Sequence, residues 1–340
     1  MFTQYYRLTG HPFQLTPDSR FYFGSQGHSR AFSHLVYGLS QEEGFIVITG
    51  EVGAGKTTMV EQLWAQLDRY TFVIGRIVTT QVAGDDLLRL VAESFGIQSE
   101  GVDKATLLRR LEQLFREQRQ SNRRCLLVVD EVQNLSIAAL EELRMLSNIT
   151  VEAPSGPWRP GLQTILLGQP QFRRIMANPD LEQLRQRVLA SYHLGPLTAD
   201  ETRAYIEHRL KMVGWVGTPE WEEAAMAAMH QHSGGIPRRI NTLGSRVLLL
   251  AALEESQVVT TQMVEATAAE LLGDLGAGAS GAQAGGHGGG YANGATAPGG
   301  GTPDPEVLRR IDALEQNAAR QDRVFRRLLD LMGSLMEPTK

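Results

Sequence analysis

The chain has 340 residues, which is enough for two domains of ordinary size. It is 42% hydrophobic and 21% charged, like an average soluble globular protein, and its single cysteine, Cys125, excludes an intrachain disulfide framework and a cysteine-based zinc finger. The formal net charge of −5 gives no electrostatic footprint for nucleic acid over the whole chain, although it does not rule out a local basic patch.

The sequence contains no candidate membrane span. Its longest apolar run, Val247 to Leu253, has seven residues, whereas a span needs about 20. The N-terminus lacks a basic region followed by an apolar core, so it does not read as a signal peptide. We therefore expect a cytoplasmic protein without direct membrane insertion, which would reach the periphery of a membrane only through a partner.

Short apolar segments alternate with helical patterns in the first part of the chain. The predicted strands are Phe45–Thr49, Phe72–Thr79, Cys125–Val129, Thr164–Leu167 and Ser191–Leu194. The predicted helices are Lys56–Leu67, Asp85–Phe95, Thr106–Gln118 and a helix that Ser136 caps and that runs through Ser147. The short apolar segments are typical of buried parallel strands. Because they alternate with helices, we predict an α/β fold, a parallel sheet with helices on both faces.

The strongest motif lies between the first strand and the first helix. It has the form GxxxxGK[ST], and its predicted nucleotide-binding residues are Gly50, Glu51, Val52, Gly53, Ala54, Gly55, Lys56, Thr57 and Thr58. Glycine lets backbone amides turn around a phosphate, Lys56 adds a charge at the β- and γ-phosphates, and the Thr57 hydroxyl is a ligand for Mg²⁺. This motif predicts an ATP site of the P-loop type.

A second motif follows the strand Cys125–Val129, which ends in Asp130 and Glu131. Ligands of open α/β sheets bind at the carboxyl edge of the strands, where these two carboxylates are expected. We predict that Asp130 holds Mg²⁺ and that Glu131 acts as general base toward the attacking water.

Three further residues are candidates for sensing or stabilising phosphoryl transfer. Gln169 follows the strand Leu162–Leu167 and is either a sensor of the γ-phosphate or a plain turn residue. Arg187 precedes the last strand and is a candidate arginine finger toward a neighbouring subunit, with Arg185 as the alternative and a surface salt bridge as the competing interpretation. Arg238 follows Pro237 at a helix start and is a candidate second sensor.

The remaining chain divides by composition. Residues 197–272 are helical in pattern and predict a small lid domain after a nucleotide-binding domain over residues 1–196. In residues 273–302, Gly fills 13 of 30 positions, which predicts a flexible linker. Residues 303–336 carry an a/d heptad pattern typical of a coiled-coil helix. A helix docked on the protein's own body and a membrane-surface helix are the alternatives.

Taken together, these stretches resemble the AAA+ ATPases, and more narrowly the ExeA/GspA-type secretion ATPases, including the subgroup found with exosortase and exopolysaccharide loci. Besides the P-loop, the resemblance rests on Pro12-Phe13, Thr16-Pro17-Asp18, Phe21-Tyr22 before His28, DEVQNL, LLGQP, LRQRV, ETRAYIEHRL and GGIPRRIN. It covers about residues 1–272. It implies a P-loop NTPase fold with a helical lid, and it implies that Phe13 and nearby N-terminal residues help to enclose adenine. A place in the hydrophobic core is the alternative for Phe13 and Tyr22.

The resemblance also implies a function. We expect a homo-oligomeric, Mg²⁺-dependent ATPase that energises or regulates export of envelope polysaccharide or protein, with its C-terminal helix docking on membrane-associated machinery. GspA-type relatives commonly continue into a transmembrane segment and a peptidoglycan-binding domain, whereas here the Gly-rich segment and heptad pattern follow, which favours the exosortase-associated subgroup. The alternatives are a DNA-binding regulator of TniB/TnsC type, which the acidic charge does not favour, and a nucleotide-gated scaffold.

Overall fold

The computed structural model describes residues 2–280, apart from residues 17, 69, 79–83, 153–155 and 157. The chain divides into two units, Met1–Leu271 and Leu272–Lys340. The strands are β1 (Phe45–Gly50), β2 (Phe72–Val78), β3 (Arg124–Asp130), β4 (Thr150–Val151), β5 (Arg159–Pro160), β6 (Leu162–Gly168), β7 (Val188–Leu194), β8 (Glu220–Trp221) and β9 (Val258–Val259).

Helices occupy most of the remaining described chain. They are α1 (Phe2–Tyr5), α2 (Gln26–Ser40), α3 (Lys56–Gln66), α4 (Gly84–Ser94), α5 (Lys104–Gln120), α6 (Ile137–Leu146), α7 (Gln171–Met176), α8 (Glu182–Arg185), α9 (Ala199–Lys211), α10 (Glu223–Ser233), α11 (Pro237–Leu253) and α12 (Thr261–Ser280). Short 3₁₀ turns lie at Ser19–Phe21, Val132–Asn134 and Pro179–Leu181.

Five strands form one parallel sheet in the order β2-β3-β6-β1-β7. Side chains alternate between its faces because the strand period is two residues. On β3, Leu127 and Val129 pack with helices α4, α5 and α6, whereas Leu126 and Val128 pack with α2 and α3. Helices therefore cover both faces, and the predicted α/β fold with a parallel sheet is confirmed.

The helical region after the sheet has a hydrophobic core of its own. Thr198 and Glu201 form a capping box at the start of α9, and Pro237 occupies the first turn of α11. Apolar side chains of α9, α10, α11 and α12 share this core with Phe2, Tyr6 and Phe13 from the N-terminus. Thus the first residues, which the sequence analysis assigns to the nucleotide-binding domain, pack against the lid because their aromatic side chains are buried there.

Helix α12 continues to Ser280, so residues 273–280, predicted as the start of a flexible linker, are helical. Each glycine here opposes the helix by about 1 kcal/mol relative to alanine, but Leu275, Ala277 and Ala279 favour it and the helix is already nucleated upstream. The rest of the predicted linker, 281–302, and the predicted coiled-coil helix, 303–336, lie outside the described residues. Among the residues that the structure describes, no helix is both long and apolar enough to cross a membrane.

Candidate nucleotide-binding site

The turn between β1 and α3 has a backbone that glycine adopts most readily. Gly53 (φ +82°) and Gly55 (φ +96°) both lie in the left-handed region. A Cβ added at Gly53 would lie 2.2 Å from the Cβ of Arg238, and one at Gly55 would lie 2.8 Å from Nε2 of His28. The glycines therefore allow two other elements to approach the turn closely, and the N-terminus of α3 follows directly with its unpaired amides and positive dipole end.

Lys56 is buried at the base of this turn, with 6% of its surface exposed. Its Nζ donates hydrogen bonds to the carbonyl oxygens of Gly50 (2.8 Å) and Glu51 (3.0 Å). Burial lowers the pKa of Lys56, and nearby carboxylates, Glu131 foremost, oppose that shift. An anion placed beside this ammonium would offset its desolvation.

Thr57 and Asp130 come together from different elements. Thr57 is the second residue of α3, Asp130 ends β3, and the Thr57 hydroxyl donates to Oδ2 of Asp130 at 2.8 Å. Hydroxyl and carboxylate oxygens are hard ligands of the kind that Mg²⁺ takes in phosphate sites. The donor set present therefore fits the implied Mg²⁺ ion.

Glu131 follows Asp130 and lines the same cavity as Lys56 and Thr57. The side-chain amide of Gln169 donates to Oε2 of Glu131 at 2.9 Å, so the predicted sensor contacts the predicted general base. Gln133, which the sequence analysis did not select, contacts both residues.

A cavity of about 380 Å³ lies over the glycine-rich turn. Its volume falls within the usual range for small-molecule sites. Most of its walls come from three parts of the chain: the P-loop turn with α3, the segment before α2, and the lid. They contribute, among others, Gly53, Lys56 and Thr57; Gln14, Tyr22 and Phe23; and Tyr205, Arg209 and Arg238.

Arg238 joins the lid to the P-loop turn. Its backbone N–H donates to the carbonyl oxygen of Gly53 at 3.2 Å, and its side chain lines the cavity. The first turn of α11 is thereby placed beside the glycine-rich turn. The residue thus lies where a second sensor would have to be, and that function stays a prediction.

Phe13 does not line the cavity. Its side chain is 3% exposed and belongs to the lid core, where the ring leaves no room for a Cβ at Gly244 (2.9 Å to ring carbons). Among the aromatic residues that follow it, Phe21, Tyr22 and Phe23 do line the cavity. Phe13 thus occupies the core position that was its alternative interpretation, while the nearby segment forms part of the cavity wall; adenine enclosure by that segment stays a prediction.

Arg187 and Arg185 lie far from the cavity within this chain. In the parallel pair of β1 and β7, Phe45 is opposite Val188 and Gly50 is opposite Leu194, so Arg187 stands at the end of the sheet remote from the P-loop. Arg187 Nη1 donates to the backbone and hydroxyl oxygens of Ser147 (3.2 and 3.1 Å). Arg185 donates to the carbonyls of Met176 and Asn178. Any action on a nucleotide would require a neighbouring subunit.

His28 contacts the P-loop turn directly. Its Nε2 lies 3.1 Å from the carbonyl oxygen of Ala54, and its Nδ1 lies 2.7 Å from the hydroxyl of Ser25, the N-cap of α2. The carbonyl only accepts, so Nε2 carries a proton, and in the neutral ring Nδ1 accepts from the Ser25 hydroxyl. Burial lowers the pKa of His28, which favours this neutral form. No local pattern indicates that a helical histidine reaches a loop 26 residues farther along the chain.

Arg209 ties α9 to the N-terminal segment. The guanidinium donates to the carbonyl oxygens of Pro12 (2.5 Å) and Gln14 (3.1 Å) and lies over the ring of Phe21, 4.6 Å from its centroid. It is 7% exposed and also lines the cavity. No local sequence signal indicates this residue, because its contacts span nearly 200 positions, 197 to Pro12.

The comparisons with known proteins agree with this geometry. Residues 39–176 match the family model described as an AAA domain. General secretion pathway protein A of Aeromonas hydrophila is 35% identical over 277 residues, which cover 80% of this chain and 49% of that protein. The chain thus spans about half the length of this curated relative.

Solved structures share the fold at low sequence identity. Cdc6p from Pyrobaculum aerophilum has a TM-score of 0.57 at 16% identity, over 75% of this chain and 71% of that chain. The Aeropyrum pernix ORC2 protein in its ADP form has a TM-score of 0.55 at 18% identity, over 76% of this chain and 72% of that chain. Residues 39–176 therefore match an AAA domain, the described chain shares its α/β fold with these structures, and the chain is similar to General secretion pathway protein A.

Proposed function

We propose that this chain binds ATP with Mg²⁺ and hydrolyses it to ADP and phosphate. One observation carries the proposal: Thr57 Oγ1 and Asp130 Oδ2 lie 2.8 Å apart, and Thr57, Lys56 and Glu131 line one cavity. A structural P-loop-like turn would not need a hydroxyl, an ammonium and two carboxylates at one edge of the sheet. The AAA domain over residues 39–176 supports the same activity.

Each residue of the site would have a separate function in ATP hydrolysis. Lys56 would contact the β- and γ-phosphates, and Glu131 would take the proton of the attacking water as general base. Arg238 would reach the γ-phosphate from the lid. Thr57 and Asp130 would hold Mg²⁺, which when bound neutralises charge on the phosphate oxygens.

Phosphate release by matched variants tests the proposal. Lys56→Ala should abolish release and weaken binding of a fluorescent ATP analogue, because the charge at the phosphates is lost. Glu131→Gln should keep analogue binding while turnover falls about 10²–10⁴-fold, the usual effect of losing a general base. Lys104→Ala and Glu142→Gln remove a surface ion pair that is partly exposed and should leave both readings unchanged. Equal phosphate release from wild type and Lys56→Ala would contradict the proposal.

We also propose that the biological work is export of envelope polysaccharide or protein from the cytoplasmic side. The support is the 35% identity to a relative whose name is General secretion pathway protein A, over 80% of this chain. The heptad pattern after a Gly-rich segment supports the finer assignment to the exosortase-associated subgroup and a docking function for residues 303–336.

Finally, we propose that the chain acts as an ATP-dependent homo-oligomer. Arg187 stands at the end of the sheet remote from the P-loop of its own chain. In an oligomer its guanidinium would face the nucleotide of a neighbouring subunit and stabilise charge that develops in phosphoryl transfer.

A further inference from the structure

Three residues that follow β3 and β6, namely Glu131, Gln133 and Gln169, form a closed hydrogen-bonded triangle. Gln133 Nε2 donates to Oε2 of Glu131 at 2.5 Å, and Gln169 Nε2 donates to the same oxygen at 2.9 Å. The third side of the triangle is a bond from the backbone N–H of Gln169 to Oε1 of Gln133, also 2.9 Å long. The carboxylate of Glu131 is thus held by two amide donors that are themselves linked.

The network determines which way the Gln133 amide faces. A backbone N–H can only donate, so the oxygen of Gln133 must face Gln169 and its nitrogen must face Glu131. The carboxylate oxygen of Glu131 accepts from that nitrogen. All three contacts are therefore satisfied by a single arrangement of the two amides.

The backbone holds this arrangement in place. Glu131 adopts a left-handed conformation (φ +54°, ψ +39°), which is uncommon for a residue other than glycine. Its N–H donates to Oδ1 of Asp130, and the 3₁₀ turn Val132–Asn134 follows at once. Val132 is fully buried in the core, so Gln133 projects from an anchored turn toward the end of the neighbouring strand.

We propose that Gln133 is a positioning residue that holds the carboxylate of Glu131 in the cavity wall, oriented toward the attacking water. The inference rests on the proposed ATPase function and adds a residue to it. Gln133 does not itself line the cavity beside Lys56 and Thr57, whereas Glu131 does, so Gln133 acts through Glu131. Its neutral amide directs the carboxylate and leaves the charge of the site unchanged.

The test is the Gln133→Met variant, which keeps the length of the side chain and removes both hydrogen bonds. Because a hydrogen bond to a charged group contributes about 1.5–3 kcal/mol, kcat for phosphate release should fall about 10- to 100-fold. The KM for ATP and the affinity for mant-ADP should stay as in wild type, since Gln133 does not line the cavity that would hold the nucleotide. Gln171→Ala, an exposed glutamine two residues beyond Gln169, is the matched control and should have wild-type kcat.

A double variant shows whether Gln133 acts by orienting Glu131 or only by supporting the fold. When Glu131→Gln is already present, adding Gln133→Met should cause no further loss of the residual rate, because the carboxylate that Gln133 positions is gone. An unchanged or raised kcat in Gln133→Met, a parallel loss of mant-ADP affinity, or an equal loss in the Glu131→Gln background would each overturn the inference.

Phosphate release by wild type and by Lys56→Ala, measured in the same assay, distinguishes failure of the ATPase proposal from failure of the inference about Gln133. If wild type releases phosphate no faster than Lys56→Ala, the ATPase proposal fails and this inference fails with it. If wild type is active and Gln133→Met equals it, the inference about Gln133 alone is overturned.

Discussion

At the scale of single residues, the P-loop turn is supported by a neutral histidine. The carbonyl of Ala54 accepts from Nε2 of His28, and in the uncharged ring Nδ1 accepts from the hydroxyl of Ser25. Burial lowers the pKa of His28, and the negative charge of Glu201 and the bond to Ala54 only partly oppose this. Tyr22, whose own pKa burial raises, packs edge-on against the ring.

This predicts a loss of stability on the acid side. In the unfolded chain the histidine takes up a proton as pH falls through its ordinary value of 6.5, while in the folded chain it does so only at lower pH. The free energy of unfolding contributed by His28 is therefore fully present above pH 6.5 and declines as pH falls below that value toward the folded pKa.

Urea unfolding measured at a series of pH values between 5 and 8 checks this expectation. Each step should change the proton activity about two-fold near the pKa of the histidine. Wild type should lose more free energy of unfolding toward pH 5 than His28→Gln does. His232→Gln, at an exposed position of α10, should follow wild type. Identical pH dependence in wild type and His28→Gln would contradict the neutral, buried state of His28.

At the scale of elements, one arginine attaches the N-terminal segment to the lid. Arg209 extends from α9 and supplies hydrogen bonds to two carbonyl groups of the segment, those of Pro12 and Gln14. It also donates to the hydroxyl of Tyr205, which in turn donates to Asn241 on α11. The segment that forms one wall of the cavity is therefore positioned by the lid.

Replacing this arginine should release the segment. Arg209→Met keeps apolar bulk but leaves buried carbonyl groups without donors, so we expect a loss of about 3 kcal/mol in the free energy of unfolding. Urea unfolding gives that value, and hydrogen exchange should rise in residues 12–23. Arg203→Met on the same helix removes only partly exposed ion pairs and should cost about 0–1 kcal/mol. Equal losses of the free energy of unfolding in the two variants would contradict the proposal that Arg209 attaches the N-terminal segment to the lid.

At the scale of the whole molecule, the hydrophobic cores of the described chain lie within residues 2–271. The sheet carries a core on each face, and the lid with the N-terminus forms the third. The cavity lies where the P-loop turn, the N-terminal segment and the lid meet. The proposed nucleotide site and the C-terminal heptad pattern therefore lie in separate parts of the chain.

This separation predicts the effect of shortening the chain. A chain ending at Ser280 should keep the thermal stability and the phosphate release of the full chain, because the cores and the cavity of the described residues lie before that position. It should fail to co-purify with membrane-associated export proteins, since residues 303–336 are proposed to dock there. Light scattering with an ATP analogue measures assembly of both chains. A loss of phosphate release on deletion would contradict the assignment and make the tail part of the catalytic assembly.

Much of the fold was predictable because its signals are local. Short β-branched runs such as Cys125–Val129 predict buried strands, and the GxxxxGK[ST] spacing predicts a strand, a turn and a helix in register. The five predicted strands all belong to the parallel sheet, and the helical pattern after residue 197 corresponds to helices α9 to α12. The pairing of Asp130 with Thr57 follows from the rule that ligands gather at the carboxyl edge.

By itself, the sequence determined the P-loop motif, the order of strands and helices along the chain, and the acidic pair after β3, because each depends on residues that are close in sequence. Only the tertiary structure decided that Phe13 is a core residue of the lid, that His28 supports the P-loop turn, and that Gln133 links Glu131 to Gln169. Those contacts depend on how separate elements pack. Packing is set by burial and hydrogen bonding between residues distant in the chain, which no local pattern records.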